Sequence, residues 1–342
     1  IYMAVTFSHP MSRALLMGCL MTCLPSIAIS QTQKSPEILH NCGYPLNLST
    51  PPERVITVGQ ASTELLYRLD LHDRVIGTSN WFTDVAKEFE GVNAKVERLA
   101  DNFPSFESVI SKRPDLVMAD FLFAVGPQGV VGTREQFQSL GITSYVLDSE
   151  CVGPSSDGSP TAFRLDSLFQ SIKNLAHMFN VQAKGDELIR EIRGREEAAI
   201  TDAQQRNLNR LSAVFWFSSA DIKMDPWVAG TTGVPAWMMS TLGIKNIVDV
   251  PEEWPSVGWE SIARANPDVI VIADMTRRRF DADDYQKKLD FLRSDPVTRQ
   301  MSAVVNNHIV VMDAHAMRAT LRSIEGLEHL VKTLSLMNLA GK

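Results

Sequence analysis

Three consecutive arginines, Arg277-Arg278-Arg279, follow the apolar run DVIVIA (268–273), and His315 and Arg318 follow a second run, HIVVMD (308–313). A guanidinium stays charged at neutral pH and donates paired hydrogen bonds that match carboxylate or catecholate oxygens. Aromatic side chains take the comparable places after other apolar runs: Trp81 beside Asn80 and Phe82, Phe123 beside Phe121, and Trp216. Rings of this kind stack on planar or apolar parts of a ligand. Together these residues suit an anionic ligand with flat parts better than a bare cation. Direct metal ligation is not expected. Beyond residue 30 the histidines are His40, His72, His177, His308, His315 and His329, none paired at ligand spacing, and only His315 closes a run. The chain has no Gly-x-Ser-x-Gly elbow, no phosphate loop and no His-Glu-x-x-His, and GTTGVP (230–235) lacks the lysine of a phosphate loop. No catalytic residue and no resident cofactor are therefore assigned.

These side chains need a frame that gathers the ends of several strands. FESVISKRPDLVMAD (106–120) and WESIARANPDVIVIAD (259–274) are one template written twice. Each has Glu-Ser, an apolar pair, Pro-Asp, and an apolar run ending in Asp. The copies lie 153 residues apart (260 − 107), which is too long for a solenoid and suits two similar lobes. In each copy Glu opens a helix, Pro-Asp ends it, and the chain returns to a sheet. Alone, Glu107 or Glu260 complements its helix N-terminus by about 0.3–1 kcal/mol. Paired on matching lobes, they also make two matching contact points.

Around the first copy, RVITV (54–58), RVIGT (74–78), DLVMA (115–119) and SYVLD (144–148) alternate with helices over 62–70, 105–113 and near 133–140. Such alternation implies a parallel sheet with helices on both faces. Residues 164–206 carry helical spacing and no strand signal, with a break expected near Asn180 to Gly185. Alternation then resumes with SAVFWF (212–217), a helix over 233–243, the two apolar runs named above, and a last helix over 322–339. The expected fold class is α/β, two lobes with parallel sheets joined by one long connecting helix. The expected boundaries are 31–163 for the first lobe, 164–206 for the connection and 207–342 for the second. A single helix between lobes resists bending, so closure around a ligand should be small and the cleft largely preformed.

The bulk composition agrees with this frame. Hydrophobic residues at 44% and charged residues at 21% describe a globular chain. With 33 basic against 40 acidic residues and a net charge of −7, nucleic acid is not expected as a partner. Residues 1–30 contain no Asp, Glu or Lys; Arg13 precedes an apolar stretch from Ala14 to Leu24, and small residues sit at Ala28 and Ser30. This is the pattern of a secretory signal cleaved near Ser30. The apolar stretch is too short to span a bilayer. Leu16-Met17-Gly18-Cys19 loosely resembles a lipidation site but leaves almost no apolar region ahead of the cysteine. Export would leave Cys42 and Cys151, and an oxidising compartment favours a disulfide between them over a metal site.

The stretch PPERVITVGQASTELLYRLDLHDRVIGTSNW, both template copies and VAGTTGVPAWMMSTLGIKNIVDV resemble, in order and spacing, the binding proteins of bacterial ABC importers. The subgroup is the one whose lobes are bridged by a long helix, and the resemblance covers about residues 42 to 340. It implies a periplasmic, monomeric protein that carries an iron–siderophore complex, haem or vitamin B12 to a permease dimer in the membrane. It also implies that Glu107 and Glu260 dock onto permease arginines. The ligand would lie between the lobes at the C-terminal strand ends, where Trp81, Phe123, Trp216, Arg277, Arg278, His315 and Arg318 are its expected contacts. Trp227, Trp237 and Trp254 are expected to pack in cores or on lobe surfaces. The alternatives are a haem or cobalamin binder of the same family, or, in a different class, an exported α/β enzyme or a ligand sensor.

Overall fold

A computed structural model describes residues 39–46, 48–151, 161–337 and 339, so the expected signal segment lies outside the described residues. In the first lobe, β1 (Val55–Val58), β2 (Val75–Ser79), β3 (Arg98–Ala100), β4 (Leu116–Ala119) and β5 (Thr143–Val146) form one parallel sheet in the order β3-β2-β1-β4-β5. Every residue of β1 and β4 is buried, as their unbroken apolar runs require of strands covered on both faces. Helices α1 (Gln60–Arg68), α2 (Phe106–Ser111) and α3 (Arg134–Ser139) cover this sheet. The short edge strand β3 has no apolar signature and was not expected.

Two helices then connect the lobes, α4 (Leu165–Met178) and α5 (Gln182–Gln205). The break falls at Asn180, whose φ of 57° is a left-handed conformation that asparagine tolerates. Gly185 lies inside α5, where a Cβ would stand 2.6 Å from that of Ala176, so its smallness lets the two helices approach. The long connecting helix is α5. Its 24 residues extend about 36 Å at 1.5 Å per residue. It ion-pairs with the first lobe through Glu191 and Arg68, and through Arg195 with Glu328 of the last helix, α9 below.

The second lobe carries β6 (Ser212–Ser218), β7 (Trp227–Val228), β8 (Lys245–Asn246), β9 (Val269–Asp274) and β10 (Ile309–Asp313). The parallel order is β8-β6-β9-β10, with β7 antiparallel to β6. Its helices are α6 (Val234–Leu242), α7 (Trp259–Ala265), α8 (Tyr285–Ser294) and α9 (Arg322–Leu336). The Pro-Asp of the repeated template does the same work in both lobes. Asp115 accepts hydrogen bonds from the backbone of Glu53 (2.7 Å) and Arg54 (3.0 Å), just ahead of β1. Asp268 accepts them from the backbone (2.9 Å) and hydroxyl (2.8 Å) of Ser212 at the start of β6. Each aspartate thus sets the register of its strand against the first strand of the lobe.

One apolar core runs through both lobes. It joins Leu116, Met118 and Tyr145 to Phe169, Ile172, Leu188 and Ile192 of the connecting helices, and these to Leu327, Phe215, Val271 and Met312. Separate clusters cover the outer faces of the two sheets. The lobes are therefore joined by packing as well as by chain, which favours one stable arrangement. Cys42 and Cys151 form a disulfide that closes a span of 109 residues. It fastens a short hairpin, His40–Asn41 with Tyr44–Pro45, to the end of β5, and the Asn41 side chain exchanges two 2.8 Å hydrogen bonds with the Val146 backbone. No helix among the described residues is long and apolar enough to cross a membrane.

Candidate functional site: a cleft between the lobes

In parallel sheets of this kind ligands bind beyond the C-terminal strand ends, where the strand order reverses. The reversal lies between β1 and β4 in the first lobe and between β6 and β9 in the second. A cleft of about 850 Å³ opens there, with Phe82, Thr83 and Asn102 from the first lobe facing Phe217, Trp254, Met275, Arg277, His315 and Arg318 from the second.

Arg318 is the central cation. Its guanidinium lies 4.3 Å over the ring of Phe121 and 5.5 Å from that of Phe82, on the first lobe. No hydrogen bond or ion pair to it occurs among the described residues. Burial lowers its pKa, and the charges of Asp120, Glu253 and Glu150 oppose that shift, so it remains a cation. Phe121 stacks on Phe123, their centroids 5.1 Å apart, and Phe123 meets Phe103 edge-on. Phe123 is thus an exposed outer member of the aromatic cluster that supports Arg318.

His315 is only 2% exposed, and both ring nitrogens are without a hydrogen-bond partner among the described residues. Burial, with the nearby charges of Arg322 and Arg318, holds its pKa well below the ordinary histidine value, so the ring is neutral. A neutral imidazole on the cleft floor can offer one N–H and one lone pair.

The other two expected arginines are engaged. Arg277 reaches across to the first lobe, donating to the carbonyls of Trp81 (3.1 Å) and Asp101 and to the side chain of Asn102, while its backbone N–H donates to Phe82 O (3.2 Å). Arg278 pairs with Asp284 at 2.8 Å, and Arg279 lies 5.3 Å over Phe280. Arg277 and Arg278 line the cleft, but their guanidinium groups are committed to protein acceptors.

The tryptophan expectations require correction. Trp216 is 0% exposed and packs against Trp259 and Phe291 on the outer face of the second sheet. Side chains alternate along a strand, so Phe215 and Phe217 face the shared core and cleft while Trp216 points away. Trp81 is 3% exposed, its indole N–H donating to Thr78 Oγ1 at 2.8 Å and its ring covered by Arg98. Neither ring reaches the cleft. The rings that do are Trp254, stacked on Phe217 with centroids 4.4 Å apart, and Trp227, 5.7 Å from Phe280. Both were expected to be packing residues. They sit in loops and at a two-residue strand, where no periodicity reveals which way they face.

Two further charged groups were not foreseen. Lys288 is fully buried beneath the cleft, donating to the carbonyls of Phe217 (2.6 Å) and Ala273 (3.3 Å). Burial pulls its pKa down to about 8. Arg322, at the start of α9, pairs with Glu64 of α1 in the other lobe. On the outside of the molecule, Glu107 and Glu260 are exposed in the first turns of α2 and α7, one on each lobe. No group of three or more His, Cys, Asp or Glu among the described residues could hold a metal ion.

The sequence matches the periplasmic binding protein family over residues 55–316, which takes in both lobes and the connecting helices. The chain belongs to that family. Among the relatives of this periplasmic binding protein, an uncharacterized ABC transporter substrate-binding lipoprotein, YvrC of Bacillus subtilis, is 23% identical over 293 residues, covering 84% of this chain and 82% of that one. The molybdate-binding protein MolA of Haemophilus influenzae is 23% identical over 281 residues, covering 77% and 74%. The fold is also that of an ABC-type Fe3+-hydroxamate transport protein from Saccharomonospora viridis, with a TM-score of 0.69, 23% identity and coverage of 88% and 99%. The family is one of periplasmic binding proteins, and the two relatives are named as binding proteins, one of them of an ABC transporter.

Proposed function

We propose that this protein captures an anionic metal chelate, a ferric siderophore in the first instance, and presents it to an ABC permease that docks on Glu107 and Glu260. The observation that carries the reading is Arg318, a cation held in the cleft by two phenyl rings, whose guanidinium is free of hydrogen-bond partners among the described residues. A guanidinium so placed keeps its donors for a ligand, and a carboxylate, catecholate or hydroxamate oxygen fits them. The Phe217–Trp254 pair offers a flat apolar face for the rest of the chelate. A relative named for molybdate supports an anionic cargo, and a structural neighbour named for ferric hydroxamate supports a chelate that presents ligand oxygens.

Haem is the second reading. The same flat face and the unpartnered His315 would suit a planar ligand with carboxylates.

The test is tryptophan quenching and native mass spectrometry with ferric hydroxamate, ferric catecholate, haem, cobalamin and molybdate, on wild type and R318M. Losing one charge-assisted hydrogen bond of about 1.5–3 kcal/mol should weaken the bound anion roughly 10- to 100-fold. Melting temperature should hold. Equal affinity in R318M, or capture of cobalamin alone, would overturn the arginine reading. Capture of haem with the same arginine dependence would select the second.

A further inference from the structure

Arg322 is the strongest contact between the lobes outside the shared apolar core. It has five N–H groups, and all are used. Its Nε donates to Glu64 Oε2 at 3.0 Å, and one Nη donates to the other Glu64 oxygen and to Asp84 O at 2.7 Å. The remaining Nη donates to Thr83 Oγ1 at 3.3 Å and to Asp313 Oδ2 at 2.9 Å. Asp313 belongs to the second lobe, and the other acceptors to the first. The pair is well shielded, the side chains of Arg322 and Glu64 being 11% and 5% exposed.

The first-lobe acceptors converge on one loop. Glu64 also accepts from the backbone of Ala86 at 3.2 Å, and Gln60 accepts from the backbones of Phe82 (3.2 Å) and Thr83 (3.1 Å). Phe82 and Thr83 line the cleft. A charge from the second lobe is therefore planted behind the cleft wall of the first. Arg277 holds the same loop from the other side, but it does so through neutral acceptors and partly exposed groups. A shielded carboxylate pair is less screened by water and salt than such contacts.

We propose that Glu64 and Arg322 are positioning residues that lock the lobe-to-lobe spacing and hold the Phe82–Asp84 wall at a fixed distance from His315 and Arg318. The cleft is then ready-made without ligand. The lock does not depend on which ligand binds, so its test needs none.

Spin labels at S111C and R264C, exposed positions on α2 and α7, report the distance between the lobes by pulsed electron spin resonance. Wild type should show one narrow distribution. E64Q keeps the shape and removes the charge, and R322K keeps the charge but has too few donors for every acceptor. Both should broaden the distribution and add longer distances, while R195Q, which breaks the Arg195–Glu328 pair between α5 and α9, should leave it narrow. If E64Q does not fold, R322K carries the test. A broad distribution already in wild type, or a narrow one in folded R322K, would overturn the lock. Equal broadening in R195Q would show a general loosening and overturn it as well.

Discussion

His315 shows how one buried side chain ties the site to pH. Its ring is neutral because burial disfavours the charged form and two guanidinium groups lie nearby. Its folded pKa is below the ordinary 6.5, so the folded state refuses a proton that the unfolded chain accepts. Stability from this group is complete above that value and falls as the pH drops below it. The loss should therefore begin as the pH falls below 6.5 and grow toward the lowered folded value. Urea denaturation should show a steeper fall with decreasing pH in wild type than in H315L. Equal slopes would mean that the ring protonates within the fold. The position of His315 was legible, since it closes an apolar run. Its lack of partners among the described residues was not, because that depends on what segments distant in the chain leave around it. For Trp216 the alternation of the strand was available in the sequence and outweighs nearness to the strand end.

Strand ends matter at the next scale, and Lys288 is what gathers two of them. From α8 it donates to the penultimate carbonyls of β6 and β9, those of Phe217 and Ala273, where Phe217 turns into the cleft. Its folded pKa of about 8 lies below the ordinary 10.5, so between those values the unfolded chain holds a proton that the folded one has released. The sign is therefore the same as that of acid unfolding, moved to alkaline pH, and stability should rise with pH across this window. From pH 7.5 to 9.5 the gain is about 2 kcal/mol, and it should be missing from K288M in denaturant titrations. A flat wild-type profile would place the ammonium in water. The strands themselves were readable as apolar runs, and the template named matching helices in both lobes. Edge strands β3, β7 and β8 were not, because pieces of two or three residues carry no period and form only by pairing with a longer neighbour.

Across the whole molecule, Glu107 and Glu260 belong to the reading in which a permease grips both lobes at once. Each is exposed in a helix first turn, with no pairing partner needed for the fold. Exposed ion pairs are worth about 0–1 kcal/mol each and act mainly on register and encounter rate. E107A and E260A should each reduce ligand uptake through the reconstituted permease, and the double variant should reduce it more. Ligand affinity and melting temperature should stay at wild-type values. Unchanged uptake by the double variant would remove these residues from docking. The sequence by itself determined the two-lobed α/β plan, the helical connection, the disulfide partners and the likeness to importer binding proteins. The plan and the connection rest on local patterns of apolar spacing, caps and repeats, the disulfide on the two cysteines that export would leave, and the likeness on motifs resembling that family in their order. Only the tertiary structure decided which rings and charges face the cleft. Arg277 and Arg278 are spent on protein acceptors, Trp254 and Trp227 replace Trp216 and Trp81, and Glu64 meets Arg322 across 258 residues of chain. Contacts at that separation have no local signature, since they exist only once both sheets are stacked on one shared core.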